Sequence, residues 1–307
     1  VASYLLIVNP VAGKGAGSAR AAELRERLDP DHAVDLVSTT SRGHATRLAR
    51  EHGADVDGVI AIGGDGTLNE ALVGVLGVGA SADTRPALGF LPGGTANVAT
   101  KAFGFMPEPR RLADALPHLE GRLVDVGIAD FAGQSRPFLQ WCGAGIDAVV
   151  IDELNSARIG HLGRRGIVLK APRVIASVAR YPAPSVHVVA DGQELASAAS
   201  VIVANVAEVA FGGTLHSGAT PFDGEIDVVT IEQAGPFRTA HMAAYMMLAS
   251  LTSSPDVGHR TATTVTMRSE GRVPVQIDGE PVGHLPIHVR VEKAAVRLLV
   301  KDGGPSG

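Results

Sequence analysis

The stretch VIAIGGDGTLNEALVGVL, Val59 to Leu76, sets Gly63, Gly64, Asp65, Gly66 and Thr67 directly after a continuous apolar run. Val59–Ile62 reads as a short buried strand. Leu68, Ala71, Leu72, Val75 and Leu76 recur at i, i+3, i+4, i+7 and i+8, which predicts a helix. Thr67 followed by Glu70 fits a capping box, with Thr67 as N-cap and Glu70 as its reciprocal partner. The loop between strand and helix has two readings. One is a tight, well-capped turn. The other is a phosphate cradle, because glycines let backbone N–H groups approach an anion at a helix N-terminus. Three glycines around one aspartate favour the cradle.

The same alternation continues on both sides. Tyr4–Val8, Ala33–Val37 and Ala87–Leu91 read as strands. Ser18–Leu28, Gly43–His52, a segment from about Thr95 and the repeat of Leu112, Leu116 and Leu119 read as helices. Strand and helix in alternation predict parallel βαβ units. From about Leu123 short β-rich runs take over: Val124–Ala129, Phe138–Trp141, Val186–Ala190, Ala199–Ala204, Ile226–Ile231, Val265–Arg268, Val273–Ile277 and Ile287–Val291. Asp191-Gly192 and Asp278-Gly279 are hairpin signals. Helical patches near Arg164–Arg180 and Phe237–Leu251 interrupt. The expected fold is an α/β domain with a parallel sheet over residues 1–125 and a mainly antiparallel β domain over 126–294. A last strand, about 295–302, returns to the first domain.

The 307 residues are 45% hydrophobic and 19% charged, the composition of a soluble globular chain. The single Cys142 excludes an internal disulfide framework and fits a reducing cytoplasm. A formal charge of −5 argues against a nucleic-acid partner. No run approaches the roughly 18 apolar residues of a transmembrane helix, and YLLIV is too short for a signal peptide. A membrane partner would be met peripherally. The basic run Ala157–Arg173 suits anionic headgroups or a solvated helix face. His241–Leu251, rich in methionine, suits a lipid pocket or ordinary core packing. The final GGPSG is expected to be disordered.

In a parallel sheet every loop from strand to helix leaves by the same edge. Here those loops are Asn9–Gly17 (NPVAGKGAG), Ser38–Gly43 (STTSRG), Gly63–Thr67 (GGDGT) and Pro92–Thr95 (PGGT). Ligands of open α/β sheets bind at that edge. Neither a P-loop nor a G-x-G-x-x-G dinucleotide fingerprint is present. No His/Cys/Asp group has zinc-finger spacing.

NPVAGKG, GGDGTLNE and LPGGTANVA, in this order, resemble the catalytic domain of the diacylglycerol kinase and sphingosine kinase family of lipid kinases. GAGIDA (Gly143–Ala148), FGGTLHSGATPFDGEIDVV (Phe211–Val229) and QIDGEP (Gln276–Pro281) are similar to that family's second-domain motifs. GGDGT alone is shared with NAD kinases; the combination is specific, and it spans essentially the whole chain. The resemblance implies a nucleotide-binding α/β domain, a β-sandwich and a cleft between them. It also implies ATP- and magnesium-dependent phosphorylation of a lipid hydroxyl, with diacylglycerol or a related glycerolipid as substrate.

The candidate nucleotide residues are Asn9, Thr39, Gly63, Gly64, Asp65, Gly66, Thr67, Asn69 and Thr95. Asn9 either bonds nucleotide or closes an Asx-turn. The resemblance puts an ATP-contacting threonine at Thr39, with Thr40 beside it. Asp65 is either a magnesium-positioning carboxylate or a turn residue. As an exposed loop carboxylate it would be dispensable to the fold. Thr67 and Thr95 serve as caps or as ligands, and Lys14 as phosphate partner or solvated side chain. The resemblance also implies a structural magnesium held by Asp223 with carbonyls of Thr220 and Glu225. It gives Glu280, at the shoulder of the Asp278-Gly279 hairpin, the part of general base. The competing functions are an NAD kinase-like enzyme and a non-catalytic lipid- or nucleotide-binding regulator.

Overall fold

Apolar runs too short for helices supply a parallel sheet in the first part of the chain. The computed structural model describes residues 1–94, 97–156, 164–209, 213–233 and 235–300, leaving aside the side chains of residues 14, 156 and 164–169. Its first elements are β1 (Ser3–Val8), α1 (Gly17–Leu28), β2 (Ala33–Ser38), α2 (His44–His52), β3 (Gly58–Gly63), α3 (Asp65–Leu76), β4 (Ala87–Pro92), α4 (Val98–Phe103) and α5 (Pro109–Ala115). The sheet order is β2-β1-β3-β4, all parallel. Every residue of β3 and β4 is buried. Helices cover both faces of such a sheet, so its inner strands carry unbroken apolar sequence instead of alternation. Leu24 and Leu28 of α1 share one core cluster with Leu6, Val8, Ile60, Ile62 and Leu91.

The second part contains β5 (Arg122–Phe131), β6 (Gln134–Phe138), β7 (Trp141–Gly145), α6 (Ile146–Ser156), α7 (Arg164–Arg180), β8 (His187–Ala190), β9 (Gln193–Glu194), β10 (Ser200–Ala204) and β11 (Ile226–Ile231). Then come α8 (Pro236–Leu248), β12 (Val257–Ala262), β13 (Thr264–Arg268), β14 (Pro274–Ile277), β15 (Glu280–His284) and β16 (Ile287–Leu298). One antiparallel sheet runs β12-β11-β10-β7-β14-β15. In the other, β13 lies between β16 and β8, and β8 pairs with β9. β5 pairs with β6. Val203, Val228, Val275 and Ile277 of the first sheet share a core with Val188, Val265, Met267 and Val289 of the second, which makes a sandwich. Both Asp-Gly turns are two-residue hairpins with positive φ at each residue.

Two compact units result: Val1–Val124 with Ala294–Gly307, and Asp125–Lys293. β16 is one strand where the sequence suggested two, and it ends with Leu298 beside Leu88 of β4.

Other elements differ from their sequence reading. Phe138–Trp141 is not a strand: β6 ends at Phe138, β7 begins at Trp141, and the carboxylate of Asp278 takes the N–H groups of Leu139, Gln140 and Trp141. α6 starts within GAGIDA, where glycines hid it. β12 escaped notice because an edge strand with one exposed face is largely polar (GHRT). The helix expected from about Thr95 begins at Val98. The methionine-rich helix ends at Leu248 and is not core: Met242 is its buried residue, whereas Phe237 and Leu248 are 90% and 87% exposed. Most of the basic run 157–173, and the final GGPSG, lie outside the described residues or side chains.

Gly74 marks the contact of α2 with α3. A Cβ there would stand 2.5 Å from Ala49 Cβ and 2.6 Å from the Thr46 carbonyl oxygen. Helix propensity alone makes Gly→Ala favourable by about 1 kcal/mol. Overpacking costs about 1–3 kcal/mol, and the contact is with backbone that cannot turn aside. Gly74→Ala should therefore destabilise the protein, read as a lower urea midpoint at unchanged m-value.

Candidate functional site

The four loops at the carboxyl edge of the parallel sheet are tied to one another. Asn9 N–H donates to the Ile62 carbonyl at 2.8 Å, Thr39 N–H to Val8 at 2.8 Å and Gly93 N–H to Gly63 at 2.6 Å. Arg20, on α1, donates to the carbonyls of Pro92 and Pro107. The GGDGT and PGGT loops meet backbone to backbone: a Cβ on Gly94 would lie 2.7 Å from Gly64 Cα. Only glycine fits so close an approach at position 94, and Gly63 is required likewise because a Cβ there would stand 2.5 Å from Thr67 Oγ1.

Asp65 holds the same junction. Its Oδ2 accepts the Val98 N–H at 3.3 Å and its Oδ1 the Ala99 N–H at 3.1 Å, the open donors of the first turn of α4. Burial raises its pKa, and these backbone N–H groups act in the opposite direction. Asp65 is thus not the exposed, structurally idle carboxylate the sequence suggested.

The capping box is also corrected. The N-cap of α3 is Gly64, with no side-chain cap bond. Glu70 caps the neighbouring helix instead, accepting Gly43 N–H at 2.8 Å and Ala45 N–H at 3.2 Å at the start of α2. Thr67 is buried, and its Oγ1 receives Asn9 Nδ2 at 3.4 Å. Asn9 also closes an Asx-turn, its Oδ1 accepting Val11 N–H at 3.2 Å. Asn69 is 4% exposed, and neither its amide oxygen nor its amide nitrogen has a partner. A buried amide without partners is costly in a finished protein and marks a place for a polar ligand or water. Thr95 and the Lys14 side chain lie outside the described set.

In the second unit Glu280 opens β15. Its Oε2 accepts a bond from Arg136 Nη2 at 2.5 Å, from strand β6. The hairpin behind it is braced from three sides. Asp278 accepts three N–H groups ahead of β7. Gln276 Oε1 accepts Gly279 N–H at 2.8 Å, and its Nε2 donates to Asp147 at 2.6 Å. Asn155 of α6 donates to the Gly279 carbonyl at 2.7 Å. Motif reading found Glu280 but not Arg136, which sits in a sequence with no distinguishing pattern.

Thr220, Asp223 and Glu225 lie in a turn that is already well bonded. Asp223 Oδ1 accepts the Glu225 N–H at 3.0 Å, and Gly224 N–H donates to Asp125 at 2.6 Å. An exposed carboxylate and carbonyl oxygens are a donor set for a hard cation. The side chain of Lys293 lies over Gly224, so an ammonium is already close by.

Residues 3–129 match the model of the diacylglycerol kinase catalytic domain, and residues 141–300 match that of the YegS C-terminal NAD kinase beta sandwich-like domain. The chain belongs to the diacylglycerol kinase and YegS-like family of lipid kinases. A protein of Bacillus subtilis (strain 168) named diacylglycerol kinase is 25% identical over 286 residues, 92% of this chain and 90% of its own. One of Mycobacterium tuberculosis (strain H37Rv), with the same name, is 26% identical over 305 residues, covering 95% and 93%. The crystal structure of a diacylglycerol kinase from Bacillus anthracis str. Sterne shares the fold with a TM-score of 0.74 at 22% identity, over 98% of this chain and 97% of that one. Among the described residues no helix is long and apolar enough to cross a membrane.

Two tests follow from the bonding. Asp65→Ala leaves the Val98 and Ala99 N–H groups without their acceptor and should cost about 1–2 kcal/mol, the usual worth of a lost helix cap. Chemical denaturation of wild type and variant measures it. Second, burial pushes Asp147 and Asp278 up to about 6, against the hydrogen bonds they accept. Unfolded aspartate titrates near 3.9. The folded state thus binds these protons more tightly, so their stabilising effect is full below about pH 4 and is lost as pH rises through about 6. Melting curves of Asp147→Asn, whose amide oxygen can still accept from Gln276, should fall less steeply over that window than those of wild type.

Proposed function

We propose that this lipid kinase uses ATP and magnesium to phosphorylate a hydroxyl of diacylglycerol or a related glycerolipid. The observation that carries the nucleotide half is the unpartnered, buried amide of Asn69 near the start of α3, beside glycine loops packed too tightly for side chains. Such a surface offers backbone N–H groups and an orphan amide to a polyanion, and no purely structural need explains the amide.

On this reading Asn9, Thr39, Thr67, Asn69 and Thr95, with Gly63, Gly64 and Gly66, hold the nucleotide phosphates. Magnesium-bound ATP supplies the phosphoryl group when present, and little else is asked of the protein than positioning and charge balance. On this reading Asp65 positions magnesium through a bound water, in addition to the backbone N–H groups its carboxylate already holds. Glu280 accepts the proton of the lipid hydroxyl at its carboxylate. The Arg136 guanidinium fixes the direction of that carboxylate. Thr220, Asp223 and Glu225 are kept as the set for a structural magnesium. The exposed apolar residues of α8 and the buried, lone Cys142 suit a cytoplasmic protein that touches a lipid surface peripherally.

Incubation with labelled ATP, magnesium and mixed-lipid vesicles, with NAD in a parallel tube, tests the reading by thin-layer separation. Label is expected in a glycerolipid; label in NAD alone would overturn the proposal. Glu280→Gln should still bind a fluorescent ATP analogue and lose roughly 10²–10⁴ in turnover, the usual worth of a general base. A fully active Gln variant would remove Glu280 from the mechanism.

A further inference from the structure

Three residues to which the sequence reading gave no role meet on the outer face of the antiparallel sheet β12-β11-β10-β7-β14-β15. β11 and β12 pair with Asp227 opposite Thr261 and Val229 opposite His259. Asp227 and His259 are therefore diagonal neighbours on one face. Ile226 and Val228 supply the sandwich core, so the alternation of β11 sends Asp227 to the other side. There it is nonetheless buried, 6% exposed, and its Oδ1 lies 2.6 Å from His259 Nε2.

The third residue comes from a different segment. His216 stacks on His259 with ring centroids 4.0 Å apart and planes at 26°. Its backbone neighbourhood is pinned: Leu251 N–H donates to the Thr214 carbonyl at 3.0 Å and Thr252 N–H to the Leu215 carbonyl at 3.1 Å. The ring itself is oriented by Thr252, whose Oγ1 is 3.0 Å from His216 Nδ1. That leaves Nε2 as the available ligand atom, held by the kind of partner that orients metal-binding histidines. One ligand atom from each of His216, Asp227 and His259 lies within 4.8 Å of the other two.

Gly218 adds an independent observation. A Cβ at this position would stand 2.7 Å from His216 Nε2. Gly218 is not among the glycines with positive φ, so its backbone does not call for glycine. What the missing side chain provides is open space at the ring nitrogen.

We propose that His216, Asp227 and His259 form a binding site for a borderline divalent transition metal, zinc being the best match. Two imidazole nitrogens and one carboxylate oxygen are a donor set for such an ion and a poor one for magnesium. Bonds of about 2.0–2.2 Å in a tetrahedron place donors about 3.3–3.5 Å apart, so Asp227 Oδ1 and His259 Nε2, now 2.6 Å apart, open slightly while the more widely spaced donors, within 4.8 Å now, draw in. The partly exposed side of His259 leaves the fourth position to water. The ion ties edge strand β12 and strand β11 to the segment carrying His216. Its place is far from Glu280: β12 and β15 are the opposite edges of the sheet, five strand spacings or about 24 Å apart.

The test uses the full-length, tag-free protein, stripped with chelator and titrated with cobalt(II) as a visible probe and then with zinc, in excess magnesium. Saturation at one equivalent per chain is expected, with d–d bands that zinc abolishes and a raised melting temperature. His216→Ala and His259→Ala should weaken binding at least tenfold, and Gly218→Val should do so without removing a ligand. Asp223→Ala should bind as wild type. If the alanine variants fold poorly, X-ray absorption on the wild-type cobalt complex still decides, because two imidazoles must appear in the coordination shell. Absence of saturable binding, binding undiminished in the three site variants, or a shell without two imidazoles would each overturn the proposal. In that event Asp227 and His259 are a hydrogen-bonded pair only.

Discussion

The carboxylate of Asp65 is the interaction on which the loop edge of the first unit's parallel sheet depends. It leaves the end of one βα loop and takes two N–H groups from the helix that follows the next, so GGDGT and PGGT are one rigid object. Bonds from backbone N–H to a charged acceptor are worth about 1.5–3 kcal/mol each, against 0.5–1.5 for neutral pairs. That margin offsets part of the cost of burying the charge, which still raises the Asp65 pKa. It also lets Gly64 and Gly94 sit in a contact that offers no side-chain packing of its own.

The same device recurs wherever this chain leaves regular structure. Glu70 caps α2 from α3. Asp278 gathers three N–H groups between β6 and β7, and Asp125 takes Gly224. Asp191 takes Thr263 and Thr264 at the turn between β12 and β13. A carboxylate has two oxygens and can satisfy several orphan donors at once, where a backbone carbonyl would need another strand to carry it. The arrangement has a functional corollary. Glu280 follows Asp278 by two residues, so the group proposed to move a proton inherits its position from a neighbour that cannot move.

This is also where sequence reading succeeds and where it stops. Unbroken apolar runs such as Val59–Ile62 reveal the parallel sheet, because a strand covered on both faces leaves no polar position to confuse the period. The Asp-Gly turns are readable because few residues adopt two successive positive φ angles. The partners of acidic side chains are not readable. Thr67-x-x-Glu70 matches a capping box by spacing, yet Glu70 reaches a helix 25 and more residues earlier in the chain. Phe138–Trp141 looks like a strand because the residue that interrupts it, Asp278, is more than a hundred positions away. The pairing of Arg136 with Glu280 and of His216 with His259 is not readable either, since each pair meets only when separate segments pack together.

Helix α8 shows how far an apolar surface can be reconciled with the proposed lipid kinase. Phe237, Met247 and Leu248 are exposed on it, and Ile175 on α7 is 54% exposed. A soluble protein gains nothing by presenting such side chains to water, and fully burying each would release about 1.5–3 kcal/mol. Insertion of three or four into the outer part of a bilayer gives a gross gain near 5–10 kcal/mol, from which immobilisation of the protein at the surface must be subtracted. Because that cost is itself about 4–15 kcal/mol, these side chains alone support at most weak, reversible attachment, far short of an anchor. That is the strength an enzyme needs if its substrate stays in the bilayer while its nucleotide arrives from water. Tighter attachment would slow the passage of such an enzyme from one vesicle to the next, and none at all would leave it without a substrate that stays in the bilayer.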